Sequence, residues 1–250
     1  MRNPPPSINS LTPEQFNQGA SNWLKVLVNG DSSVLEKIFY APGSEKKMVN
    51  VTFPVDQMAM LVSTPGGCRI EARFLVLKDE VTAGRFAIAL YATDINNKRV
   101  SAYYKSYPGS PIPAAVEYKT TQADSAGTST LPTTSSGNGV WAVQVPHVIV
   151  ENWVDYWSNT QLIFDMFSTS YGPLQGYTFK FGDFVEPMFY NQKEDGWNLG
   201  IDLGLHDYYG PEGTGPSYNF GLSLRFYGPN GASDKSFYDM STPCPPGTFI

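Results

Sequence analysis

Histidine and cysteine are scarce, with two of each in 250 residues. Cys68 and Cys244 are too few for a disulfide framework and lack the clustering of a zinc site, so two free thiols are the expectation. Two histidines, His147 and His206, leave few routes to triad chemistry. His147 directly follows Pro146 and reads as a helix-start residue. The chain has no Gly-x-Ser-x-Gly elbow and no His-Glu-x-x-His run. Gly213-Thr214-Gly215 lacks the Lys-Ser/Thr ending of a phosphate loop. The sequence therefore assigns no catalytic residue and no cofactor.

Charge is also thin. Only 16% of residues are charged, and 23 acidic against 17 basic side chains give a net charge of −6. Phosphate binding needs clustered Lys and Arg, and the most basic patch is Glu45-Lys46-Lys47. Nucleic acid and anionic membrane surfaces are therefore not expected partners. No run approaches the 18 uninterrupted apolar residues of a membrane span. The first residues, Met1 to Pro6, carry no apolar leader segment, so a cytoplasmic location is expected.

Apolar residues make up 41% of the chain, enough for a real core. With 23 Gly, 20 Pro and 15 Tyr, the composition suits β structure and long loops better than helical bundles. Thr12, Pro13 and Gln15 form a helix-start signature. Phe16, Ala20, Trp23, Leu24 and Leu27 then recur at helical spacing, and Gly30 can end the helix. Met48 to Phe53 reads as a strand, after which Pro54 opens a short helix through Met58 and Leu61. Ile70, Ala72, Phe74 and Val76 alternate with Arg69, Glu71 and Arg73, the pattern of a half-buried strand with an exposed charged side. Phe86, Ile88 and Leu90 form its partner, and Val100 to Tyr104 a third strand.

From residue 108 to 139 Pro, Ser, Thr and Gly dominate, the composition of a linker. Beyond it the same signals return in the same order, about 130 residues on. Trp153 follows an asparagine as Trp23 does, on a helical face made of Ile149, Val150, Trp153, Val154 and Trp157. Phe179-Lys180-Phe181 resembles Val51-Thr52-Phe53. The strands of Leu199, Ile201 and Leu203 and of Phe220, Leu222 and Leu224 match the first hairpin, and Tyr238 matches Tyr104. The expected fold is α+β: a tandem duplication of a small helix plus antiparallel-sheet unit, two lobes in a pseudo-twofold relation. Its parts are a first repeat at 10–107, a linker at 108–139, a second repeat at 140–240 and a Pro-rich tail at 241–250.

The second hairpin holds the candidate site. With Leu199, Ile201, Leu203 and Leu205 inward, the other face carries Asn198, Gly200, Asp202, Gly204 and His206. The partner strand adds Asn219, Gly221, Ser223 and Arg225. Glycine within a strand marks the close approach of something else. The candidate ligand residues are Asp202, His206 and Arg225, with Tyr208 and Tyr209 from the following loop and Trp197 at the hairpin mouth. Asp202, His206, Asp207 and Glu212 are the oxygen and nitrogen donors a metal would use. One structural alternative is that this face packs against the other copy or a second chain; another is that it is simply solvated, with Asp202 paired to Arg225.

Three functional readings follow. The first is a non-enzymatic binding or assembly protein with a protein partner or self-association. The second is a carbohydrate-binding module using the aromatic loop. The third is a metal-dependent hydrolase centred on Asp202 and His206.

Overall fold

A computed structural model describes residues 10–78, 84–109, 144–169, 171–190, 197–209, 216–228, 237–238 and 242–243. The fold is α+β, with helices set against antiparallel sheets. The first half contributes β1 (Ser10–Leu11), α1 (Pro13–Asn29), α2 (Ser32–Lys37), β2 (Asn50–Pro54) and α3 (Val55–Val62). The hairpin β3 (Arg69–Leu77) and β4 (Arg85–Thr93) follows, then β5 (Tyr103–Lys105) and β6 (Tyr107–Pro108). The second half contributes β7 (Gln144–Val145), α4 (His147–Asn159), a 3-10 turn at Phe164–Phe167, and the short pair β8 (Ser168–Thr169) and β9 (Gly172–Pro173). It continues with β10 (Gly176–Lys180), α5 (Gly182–Tyr190), the hairpin β11 (Asn198–Tyr209) and β12 (Pro216–Tyr227), β13 (Phe237–Tyr238) and β14 (Thr242–Pro243). Among the described residues no helix is long and apolar enough to cross a membrane.

Local chemistry sets the first helix as its sequence suggests. The Thr12 hydroxyl accepts from Gln15 N at 3.2 Å, and the Gln15 side chain accepts from Thr12 N at 3.0 Å, closing the capping box. Gly30 ends α1 at φ 69°, the left-handed conformation that costs glycine least.

The strands are shared between the halves. One six-stranded sheet runs β1-β5-β4-β3-β10-β14, and the other runs β7-β13-β12-β11-β2-β6. Each hairpin thus takes its neighbouring strand from the opposite half: β10 completes the sheet of β3, and β2 completes the sheet of β11. The registers correspond position by position. Arg73 faces Gly176 and Arg69 faces Lys180 in one sheet, while Asp202 faces Asn50 and Asn198 faces Pro54 in the other. Tyr104 sits between Ser10 and Leu90 as Tyr238 sits between Gln144 and Leu224.

One core joins the two sheets, and residues of both halves fill it. The Trp23 ring on α1 meets Phe39, Phe74, Phe86 and Phe167 edge-on, with centroids 5.6–6.2 Å away. Each such aromatic pair adds about 0.5–1.5 kcal/mol beyond its buried area. Phe220 closes the same group from the second hairpin. Two indoles cross between the halves. Trp23 Nε1 donates to Leu174 O at 2.8 Å, and Trp157 Nε1 donates to Met48 O at 2.9 Å. Lys47 crosses too: its Nζ donates to Thr160 O at the end of α4 (2.6 Å) and stands 3.4 Å from Glu36.

Several sequence expectations need correction. On the α4 face read from spacing, Trp157 is buried and Trp153 only half-buried. Phe179 faces Ile70 and Phe53 faces Leu199, so by strand pairing Phe179 lines up with Phe53, two residues from the Val51 that the sequence pattern suggests. A two-residue slip keeps the same side inward, so alternation alone does not detect it. Glu71 and Arg73 are both buried at 7% exposure rather than solvated. The strand from the other half supplies their partners: Thr178 Oγ1 donates to Glu71 at 2.8 Å, and Arg73 donates to the Gln175 side chain just before β10. The third strand starts at Tyr103, later than expected. The expected linker lies outside the described residues from residue 110 on. So does the tail apart from Thr242 and Pro243, which pair with Thr178 and Tyr177.

Candidate functional site

The inner side of the second hairpin is as the alternation requires. Leu199, Ile201, Leu203 and Leu205 are buried in the core, opposite Phe226, Leu224, Leu222 and Phe220. The outer side is buried as well, as packing against another part of the chain requires. Asp202 is 1% exposed, Ser223 3% and Arg225 4%.

A closed polar cluster occupies this outer side. Arg225 Nη2 stands 3.1 Å from Asp202 Oδ2. The Tyr227 hydroxyl donates to Asp202 Oδ1 at 2.7 Å and accepts from Asn50 Nδ2 at 3.1 Å. The Arg225 guanidinium also donates to the Tyr227 hydroxyl and lies 4.5 Å from the centre of its ring. Burial pushes the Asp202 carboxyl above the usual aspartate range, opposed chiefly by the Arg225 charge. Burial, reinforced by the Asp202 charge, holds the Tyr227 phenol protonated well past its ordinary value.

Two glycines make room for this cluster. A side chain on Gly200 would overlap the Tyr227 ring, and one on Gly109 would overlap the Asn50 amide. Asn50 belongs to a glycosylation sequon, yet it is 4% exposed and its nitrogen is engaged inside. The Asp202–Arg225 pair suggested by the sequence is therefore present, but it is buried rather than solvated.

Farther along the hairpin the floor changes from polar to aromatic. Gly204 and Gly221 face each other across β11 and β12. The His206 ring lies over Gly221, and Trp153 Cβ of α4 would stand 3.0 Å from a Cβ on Gly204. The two rings stack, with centroids 3.7 Å apart and planes at 21°. Helix α4 packs on the stretch of β11 that β2 leaves uncovered. Its Tyr156 meets Tyr218 at 5.4 Å on the inner side. All four rings, Trp153, His206, Tyr156 and Tyr218, are half-buried.

The remaining candidates scatter. Asp207, Tyr208 and Tyr209 belong to β11 and not to a loop, paired with Tyr218, Ser217 and Pro216. Aromatic and alternating residues simply extend the strand. Trp197 is half-buried and its ring lies against Gly228. Glu212 lies outside the described residues. Asp202 and His206 are four residues apart along one strand, a separation of about 13 Å, too far to share one metal ion. Asp207 points to the opposite side from both. Among the described residues no three His, Cys, Asp or Glu side chains form a metal-binding group.

Sequence reasoning overlooked Tyr227, Asn50 and Trp153 as members of this surface. The signal for Tyr227 was available, since it continues the outward series of Gly221, Ser223 and Arg225. Asn50 reaches the cluster only because β2 crosses to the other half's hairpin.

No family model, no curated protein and no solved structure matches this chain.

Proposed function

We propose that this chain is a non-enzymatic binding or assembly protein. In this reading it is built from two copies of one unit about a pseudo-twofold axis. The corresponding strand orders and registers of the two sheets support the second statement. The observation that carries the first is the half-buried, stacked pair Trp153 and His206, set on a two-glycine floor where α4 meets the second hairpin, with Tyr156 and Tyr218 meeting on the opposite side of the sheet. Amphipathic rings that keep one part buried and another in water favour contact surfaces. Val148 and Ile149, at the start of α4, add exposed apolar area beside them. The buried Asp202–Arg225 pair is tied through the Tyr227 hydroxyl to Asn50, which joins the hairpin to β2. A reducing, cytoplasmic setting fits the exposed, unbridged thiol of Cys68.

Light scattering after size exclusion, over a wide range of protein concentration, tests this reading. The wild-type chain is expected to self-associate, and Trp153→Ser to weaken that association without lowering the melting temperature appreciably. A wild-type chain that stays monomeric throughout, with Trp153→Ser indistinguishable from it, overturns self-association through this surface.

A carbohydrate ligand is the second reading, favoured by the same rings, since aromatic faces stack on sugar rings. An array of glycans probed with the wild-type chain and with Trp153→Ser separates it from the first. Binding that the substitution abolishes supports it, and a blank array removes it.

A further inference from the structure

The way β2 and β10 change places identifies a partner that this fold fits. We infer that each half of the chain is a recognition module for the other half, so that a second copy of this chain can supply either half in trans. This inference stands apart from the aromatic surface and does not depend on it.

Three features carry it. The first is incompleteness. Without β10, the inward-facing row of β3 loses its neighbour, and Glu71 and Arg73 lose Thr178 and Gln175. Without β2, β11 loses its neighbour along Asn198–Asp202, and the Asp202–Tyr227 cluster loses Asn50. A buried strand edge leaves unpaired backbone groups, which is unfavourable. Neither half by itself closes its sheet.

The second feature is reciprocity. The indole of each half's first helix bonds to a carbonyl that leads into the exchanged strand of the other half: Trp23 to Leu174 before β10, and Trp157 to Met48 before β2. The backbone ties correspond as well. Phe74 N donates to Gln175 O and Leu203 N to Val49 O, at 3.0 and 2.9 Å. Each half therefore presents the same docking edge and the same strand to insert, which is the arrangement of an isologous pair.

The third feature is the connection. The halves are joined only through residues 110–143, which run from β6 at one edge of the second sheet to β7 at its opposite edge. The contacts described between the halves are made by residues outside this stretch. Nothing in those contacts distinguishes a half of the same molecule from the equivalent half of another, so strand exchange between chains needs no new interface.

The test uses the full chain with a protease site inserted within 110–143 and cut after folding. One preparation carries a tag on its N-terminal end, and another carries a different tag on its C-terminal end. The cut halves are expected to co-elute at the mass of the intact chain. After the two preparations are mixed, unfolded in urea and refolded, hybrid particles bearing both tags are expected, with one half from each preparation. With equal amounts mixed, particles bearing both tags should form up to about a third of the tagged particles, the statistical share for equivalent partners. Halves that separate on cutting as folded monomers overturn the inference. So do cut halves that hold together but never refold into hybrids, because they lack the mutual recognition proposed.

Discussion

The Asp202 carboxylate and the Arg225 guanidinium stand 3.1 Å apart on neighbouring strands, both almost fully removed from water. Two buried charges of opposite sign depend on each other: removing one leaves the other desolvated and unpaired. Arg225→Met is expected to lower the stability of the chain by about 3–5 kcal/mol in urea unfolding. Replacing both members with apolar residues, Asp202→Leu with Arg225→Met, is expected to cost much less than the sum of the single changes. Additive costs would mean that the pair is not coupled as the geometry requires.

Tyr227 links that pair to Asn50 and gives a pH signature. Its folded phenol titrates above the unfolded value of about 10, because burial and the Asp202 charge both oppose the phenolate. A group raised in the folded state contributes stability that is fully present below the unfolded value and is lost as the pH rises beyond it. The wild-type chain should therefore lose stability above about pH 10 more steeply than Tyr227→Phe. Parallel pH profiles for the two proteins would show that the phenol is not held by the cluster.

The glycine floor makes a different kind of prediction. A methyl group at Gly221 overlaps the His206 ring, so Gly221→Ala should destabilise by about 1–3 kcal/mol. Because the obstacle is a side chain and not backbone, His206→Ala in the same chain should recover part of that loss. Thermal melts of the single and double variants decide it; a double variant no more stable than Gly221→Ala would place the clash elsewhere.

What the sequence disclosed follows from the range of its signals. Helix α1 was readable because its start and stop, Thr12 to Gln15 and Gly30, act within a few residues. Both hairpins were readable because alternation is local, and it placed Leu199 to Leu205 inward correctly. Which strand lies beside a hairpin is not a local property. β2 and β10 have similar apolar patterns, so nothing in either segment says that it pairs with the hairpin of the other half. For the same reason nothing local marks Glu71, Arg73 and Asp202 as buried: their partners Thr178, Gln175 and Asn50 are more than a hundred residues distant in the chain. Spacing puts Trp153 and Trp157 on one helical face, but it does not distinguish the two edges of an apolar stripe, and only Trp157 is buried.

The two crossing indoles predict that the halves melt as one. Trp23→Phe and Trp157→Phe keep an apolar ring but leave Leu174 O or Met48 O without its donor. Each substitution should cost about 1–3 kcal/mol. Each should also shift a single cooperative transition and not split it, since either carbonyl lies where one half enters the sheet of the other. Calorimetry that resolves two transitions in either variant would show two independent cores.

The placement of β6 and β7 at opposite edges of one six-stranded sheet sets a length requirement on the connection between them. Five strand spacings amount to about 24 Å. A chain shortened by deleting residues 112–141 keeps five residues between Pro108 and Gln144, and these six steps reach about 22 Å at most. Closing within one molecule would then strip an edge strand from the sheet. Pairing with a second molecule avoids that loss, because the first half of one chain can join the second half of another while both sheets keep all their strands. The shortened chain is therefore expected to elute as a dimer with the far-UV circular dichroism of the parent. Reinsertion of a long flexible connection at the same point should return it to the parent's state. A folded monomer from the shortened chain would show that the edge strands yield before the halves exchange partners.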